Sequence, residues 1–248
     1  MSQHPKPAVP NPSVPSPAAP RLLVSVRDAA EAALAAGAGA DLVDAKDPER
    51  GALGALPEAS VASILAAVRG RAATSAVAGE PEGAADLARR VAAFAGTAAD
   101  FLKVAVPPNL RRSPTALAAA AGAAPGRLIA VLFAEDGVGP EDPAVLAAAG
   151  FVGAMIDTAG KDGRRLPDIV APAILSAFCA GCRAGGLMTG LAGSLRVEDI
   201  AGLAVHRPDY LGFRGGLCRG GDRRGGLDPV RIDAGVAALR ALGRRDAA

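Results

Sequence analysis

From Arg21 onward one pattern recurs: a short apolar run, then a longer stretch with helical periodicity. RLLVSV (21–26) precedes RDAAEAALAAG, ADLVDAK (40–46) precedes PEASVASILAAVRG, and ATSAVAG (73–79) precedes PEGAADLARRVAAFAG. DFLKVAV (100–106), RLIAVLF (127–133) and FVGAMIDTAG (151–160) lead to SPTALAAAAG, DPAVLAAAG and LPDIVAPAILSAFCAGCRAGG. LMTGLAG (187–193) leads to RVEDIAGLAV, and YLGFRGG (210–216) to DPVRIDAGVAALRAL. The apolar runs have strand length, and the stretches between them carry apolar periodicity with polar punctuation. Ser, Asp or Pro often opens a helix and Gly commonly follows its end. Strict alternation predicts a parallel sheet covered by helices. Eight units in about 225 residues predict an α/β protein of the (β/α)8 TIM-barrel type. A doubly wound open sheet is the alternative, but no G-x-G-x-x-G follows the first strand to support it.

The expected barrel is a single domain over residues 21–246. Residues 1–20, MSQHPKPAVPNPSVPSPAAP, are Pro-rich and are expected to form an extended, disordered tail. They lack the apolar core of a signal peptide. Half of the chain is apolar, but mostly as Ala and Gly, with 3% aromatics and no Trp. Small side chains suit helices packed closely on a sheet or on another subunit, which leaves a homo-oligomer open. Net charge is +2, and the arginine pairs 111–112, 164–165 and 223–224 are scattered. Without a basic run interleaved with aromatics, nucleic acid is not an expected partner. No uncharged apolar run approaches the roughly 20 residues of a membrane span. Cys179 and Cys182 form a C-x-x-C inside an apparent helix, with no second pair and few histidines in the chain. That pattern reads as core or surface thiols, not as a zinc or redox site, and no metal is expected. Reduced cysteines suggest a cytoplasmic setting.

Of 27 cationic residues only four are lysines: Lys6, Lys46, Lys103 and Lys161. Lys6 is in the tail, and the others fall at or just after the second, fourth and sixth strands. Alternation places Leu42, Asp44 and Lys46 on one face of the second strand, opposite Val43 and Ala45. In the fourth strand Phe101, Lys103 and Ala105 share a face, opposite Leu102, Val104 and Val106. In a barrel the lysine-bearing faces point inward, so both amines converge on the axis from non-adjacent strands. An amine loses its proton readily when desolvated or set beside another cation. It then serves as a base or attacks a carbonyl to form a Schiff base. Asp44, and Asp157 near the end of the sixth strand, are placed to orient a lysine or carry protons. Glu135 and Asp136 are weaker candidates, equally suited to opening the next helix.

The seventh and eighth strands end in GLAGSLR and GFRGGLCRGG. Glycine-rich turns at that place expose backbone N–H groups that cradle phosphate. Gly193, Ser194, Arg214, Gly215 and Gly216 are the candidate phosphate-binding residues. His206 precedes the eighth strand, at the wrong end for a Ser-His-Asp hydrolase.

DLVDAKDPERGALGAL, DFLKVAV, MIDTAGKDGRRL and DYLGFRGGLCRGG together resemble the (5-formylfuran-3-yl)methyl phosphate synthase family, also called 4-(hydroxymethyl)-2-furancarboxaldehyde phosphate synthase, of methanofuran biosynthesis. The resemblance runs from Arg21 to the last helix. In the first of these motifs a Ser is expected where this chain has Ala52. The resemblance implies a barrel enzyme that condenses two molecules of glyceraldehyde 3-phosphate into a furan aldehyde phosphate, losing phosphate and water. The chemistry would be of the carbon–oxygen lyase type, with no cofactor. It also implies that the lysine-and-aspartate site falls on Asp44, Lys46, Lys103, Asp157 and Lys161. Lys46 is then the expected Schiff-base nucleophile, with Lys103 its rival. Two other readings stand beside it: a Schiff-base aldolase or isomerase acting on another sugar phosphate, and a non-catalytic barrel that binds a phosphometabolite.

Overall fold

The computed structural model describes residues 19–160 and 163–245. The expectations for residues 1–18, Lys161 and residue 246 lie outside them. In chain order the elements are β1 (Arg21–Val26), α1 (Ala29–Ala38), β2 (Leu42–Ala45), α2 (Glu58–Val68), β3 (Ala73–Gly79) and α3 (Ala84–Phe94). Then come β4 (Phe101–Ala105), α4 (Pro108–Arg111), α5 (Pro114–Ala123), β5 (Leu128–Phe133), α6 (Asp142–Ala148) and β6 (Gly153–Asp157). The chain ends with α7 (Leu166–Ile169), α8 (Pro172–Ala184), β7 (Met188–Leu191), α9 (Ile200–Ala204), β8 (Tyr210–Phe213) and α10 (Pro229–Arg245). All eight strands pair in parallel in sequence order, and β8 closes on β1. The alternating units therefore make a (β/α)8 barrel, with α4 and α7 added as short helices after β4 and β6.

Side-chain alternation divides the core into two parts. Outward residues such as Val43, Leu102, Val104 and Leu132 pack beneath the helices. Inward residues such as Leu42, Phe101, Ile129, Met155 and Tyr210 fill the barrel. The helices present matching stripes. On α8, Leu175, Phe178, Cys179 and Cys182 are all buried. Removing a side chain the size of Leu or Phe from water contributes roughly 1.5–3 kcal/mol. Helix α1 shows the local grammar plainly. Asp28 caps it by accepting the Glu31 N–H at 2.9 Å, and Gly39 ends it at φ 96°, in the left-handed region.

The lower end of the barrel is pinned by a repeated device. Asp41, just before β2, accepts the Leu22 N–H of β1 at 2.8 Å. Asp100, before β4, accepts the Thr74 N–H of β3 at 2.9 Å and the Thr74 hydroxyl at 2.8 Å. Asp209, before β8, accepts the Thr189 N–H of β7 at 2.8 Å. Each carboxylate fixes where a strand starts relative to its neighbour, and so fixes which residues emerge at the other end. Among the described residues, no helix is long and apolar enough to cross a membrane.

Candidate active site

Asp44 lies inside the barrel on β2, fully buried. The register places Ser25 of β1 on one side of it and Ser75 of β3 on the other. Both hydroxyls donate to its carboxylate, Ser25 at 3.0 Å to Oδ2 and Ser75 at 2.6 Å to Oδ1. Lys103 reaches across from β4, its Nζ 2.7 Å from Asp44 Oδ2. One step higher, Lys46 Nζ lies 3.6 Å from Asp157 Oδ2 of β6. Lys46 follows the last residue of β2, but its N–H still bonds Val26 O at 3.0 Å. The ladder thus holds its side chain at the barrel mouth, and two lysines from β2 and β4 meet two aspartates from β2 and β6.

The electrostatics follow from this enclosure. Burial pushes the Asp44 carboxyl up, but the Lys103 and Lys46 charges and the bonds from Lys103 and Ser75 outweigh it. Asp44 is held below the usual carboxylate range. At Lys103 burial prevails, aided by the Lys46 charge, and the amine falls below an ordinary lysine despite the pull of Asp44. A buried carboxylate thus stands beside an amine that gives up its proton more easily than a surface lysine.

Above this group opens a cavity of about 860 Å³, lined among others by Lys46, Lys103 and Asp157. Gly193, Ser194, Arg214, Gly215 and Gly216 also line it. Gly193 and Ser194 form a turn with φ of 116° and 49°. A Cβ on Gly216 would collide with the Leu195 carbonyl oxygen, so the turns after β7 and β8 touch backbone to backbone.

Arg214 differs from its four companions. Its Nε donates to Arg223 O at 2.8 Å, Nη1 to Ser25 O at 3.2 Å and to Glu31, and Nη2 to Glu31 at 3.2 Å and Gly225 O at 3.1 Å. These five bonds occupy all five guanidinium N–H groups. Arg214 therefore ties the loop after β8 to β1 and α1. Glu135 accepts the Ala159 and Gly160 N–H groups at 2.9 and 2.7 Å, holding the loop after β6 just before Lys161. Ser25, Ser75, Glu31 and Arg223 were not anticipated from the sequence. Their roles arise from strand register and loop contact, and only the inward parity of Ser25 and Ser75 was a usable signal.

The remaining candidates stand apart. Burial pushes the Cys179 and Cys182 thiols up to about 12, as expected of core cysteines. His206 is buried beside Ser176, its Nδ1 2.8 Å from the hydroxyl, and burial lowers its pKa. Among the described residues, no group of three or more His, Cys, Asp or Glu is placed to hold a metal ion.

Fold and site together define a (β/α)8-barrel enzyme with amines and carboxylates at the C-terminal mouth of its strands. The family model described as 4-HFC-P synthase matches residues 22–235, and the chain belongs to that family. A Methylorubrum extorquens relative, provisionally named (5-formylfuran-3-yl)methyl phosphate synthase, is 59% identical over 92% of this chain and 95% of its own length. The Methanosarcina mazei protein of that name is 33% identical over 89% of this chain and all of its own length. Among solved structures, phosphoribosyl anthranilate isomerase from Thermus thermophilus superposes with a TM-score of 0.60 at 16% identity, covering 90% of this chain and 99% of that one. At that identity the likeness shows the barrel alone.

Proposed function

We propose that this enzyme condenses two molecules of glyceraldehyde 3-phosphate into (5-formylfuran-3-yl)methyl phosphate. Atom balance requires that one phosphate and two waters leave per furan formed. The observation that carries this reading is the set Asp44, Lys103, Lys46 and Asp157, joined by ion pairs of 2.7 and 3.6 Å below the cavity. The family membership supports the choice of product.

Lys46 is the nucleophile in this scheme. Its side chain lies at the mouth and its pairing with Asp157 is loose, whereas Lys103 is clamped on Asp44. The neutral amine adds to the aldehyde carbonyl, water is lost, and an iminium forms. The iminium draws electrons from the adjacent C–H bond, easing proton loss and expulsion of phosphate from the neighbouring carbon. Lys103, its pKa lowered, removes and returns protons, while ionised Asp44 holds it in place. Asp157 beside Lys46 serves proton transfer to the departing oxygens, and Lys161 is assigned to the same work. The turns at Gly193–Ser194 and Gly215–Gly216 hold one phosphoryl group through backbone N–H donors. Arg214 acts as a positioning residue for them. This makes the protein a carbon–oxygen lyase of the Schiff-base type. Three free, buried cysteines support a cytoplasmic setting.

The test is incubation of purified protein with glyceraldehyde 3-phosphate alone, scored by mass and ultraviolet absorbance for the furan phosphate. Appearance of that product supports the proposal. Conversion to a different sugar phosphate would favour the aldolase or isomerase reading, and binding without turnover would favour the non-catalytic barrel.

A further inference from the structure

Resting on the function proposed above, a condensation of two triose phosphates brings two phosphoryl groups into one cavity. The turns after β7 and β8 serve one of them. A second anion needs its own donors, because two phosphates in one cradle repel each other.

The loop after β8 supplies a candidate. Residues 219–226 form a loop closed at its base by the bridge between Cys218 and Leu227. Arg214 grips it from within through the carbonyls of Arg223 and Gly225. Arg27 Nη1 donates to Arg224 O at 2.6 Å, and Arg224 pairs with Glu49 at 3.2 Å. The loop therefore leans over the β1 and β2 side of the mouth, where Lys46 emerges. Arg223 lines the cavity from this loop, and its Nη2 donates to Gly51 O at 2.6 Å. Its Nε is shut from water and has no hydrogen-bond partner among the described residues.

Four other arginines of the cavity wall, Arg165, Arg214, Arg224 and Arg231, are already engaged, and Arg196 stands two residues beyond Ser194, on the side of the first phosphate. Arg165 is paired with Asp168 and Asp199, and Arg231 with Asp228. Arg223 forms no ion pair with a described residue, yet its carbonyl is held by Arg214 and its Nη2 by Gly51 O. A pre-positioned guanidinium that lines the cavity and carries no such ion pair fits an oxyanion of tetrahedral, multiply charged type.

We infer that Arg223 is a second phosphoryl-binding residue, holding the phosphate of one triose on the β1–β2 side while the glycine turns hold the other. Binding there sets the two substrates apart and aims one carbonyl at Lys46.

Inorganic phosphate is the probe, titrated calorimetrically into the intact protein and into Arg223→Gln and Arg223→Lys variants. The wild type is expected to bind at two sites. Arg223→Gln should weaken one of them by about tenfold to a hundredfold, the loss expected for bonds to a charged group, and leave the other unchanged. Arg223→Lys, which keeps the charge, should restore part of the affinity. Equal unfolding midpoints for the three proteins would rule out a folding defect as the cause. Unchanged two-site binding in Arg223→Gln, or a single site in the wild type, would overturn the inference. This titration needs no turnover, so failure of the furan-forming reaction in the wild type would be seen separately, in the product assay.

Discussion

Asp44 is a carboxylate shut from water and held by two hydroxyls and an ammonium, so its removal exposes the logic of the site. Asp44→Asn should leave Lys103 buried without its counter-charge and lower stability by about 3 kcal/mol near neutral pH. The pH dependence has a definite sign. The folded pKa of Asp44 lies below the unfolded value of about 3.9, so its contribution is present above about pH 4 and is lost as pH falls through the folded value. Urea denaturation across pH 3–7 should show the gap between wild type and variant closing at the acid end; a gap independent of pH would contradict the ionised state. Lys103 gives a slope of the same sign in a higher pH range. Its pKa is lowered from 10.5, so the unfolded chain holds the proton more tightly and stability rises with pH up to that value. Alternation of single residues made the inward faces of β2 and β4 readable, because parity survives any register. The partners were not readable: Ser25 and Ser75 meet Asp44 only once three strands are aligned.

Elements set where these residues stand. The strand cores followed from apolar runs, yet β2, β6 and β7 are shorter than the runs that announced them. Pairing ends where the chain turns into a loop, and loop residues keep the apolar character of the run. The short helices α4 and α7 were not foreseen, since four residues carry too little periodicity to register. The aspartates before β2, β4 and β8 show how strand starts are fixed from outside the strands. Asp100→Ala should remove bonds to the Thr74 amide and hydroxyl, at a cost of about 1–3 kcal/mol. Because this clamp lies at the end away from the cavity, thermal unfolding should fall while kcat/KM stays within about twofold. A large loss of kcat/KM at unchanged stability would show that the two ends of the barrel are more tightly coupled than the clamp implies.

The whole molecule explains why four distant stretches of sequence act together. Closure of eight parallel strands turns the C-terminal ends of β2, β4, β6 and β8 into one rim. Repetition of the strand–helix unit made that closure readable before any contact was known. The loop after β8 was less readable, because its glycines and arginines carry no period. Its link to β1 and α1 runs through a buried Arg214–Glu31 pair about 180 residues apart in the chain. The central claim is that an amine at this rim attacks the substrate carbonyl, and borohydride trapping tests it most directly. Protein mixed with glyceraldehyde 3-phosphate and reduced should carry one triose adduct on the peptide containing Lys46, and Lys46→Arg should carry none there and lose activity by about a thousandfold or more. An active protein that carries the adduct on neither Lys46 nor Lys103 would contradict the covalent account.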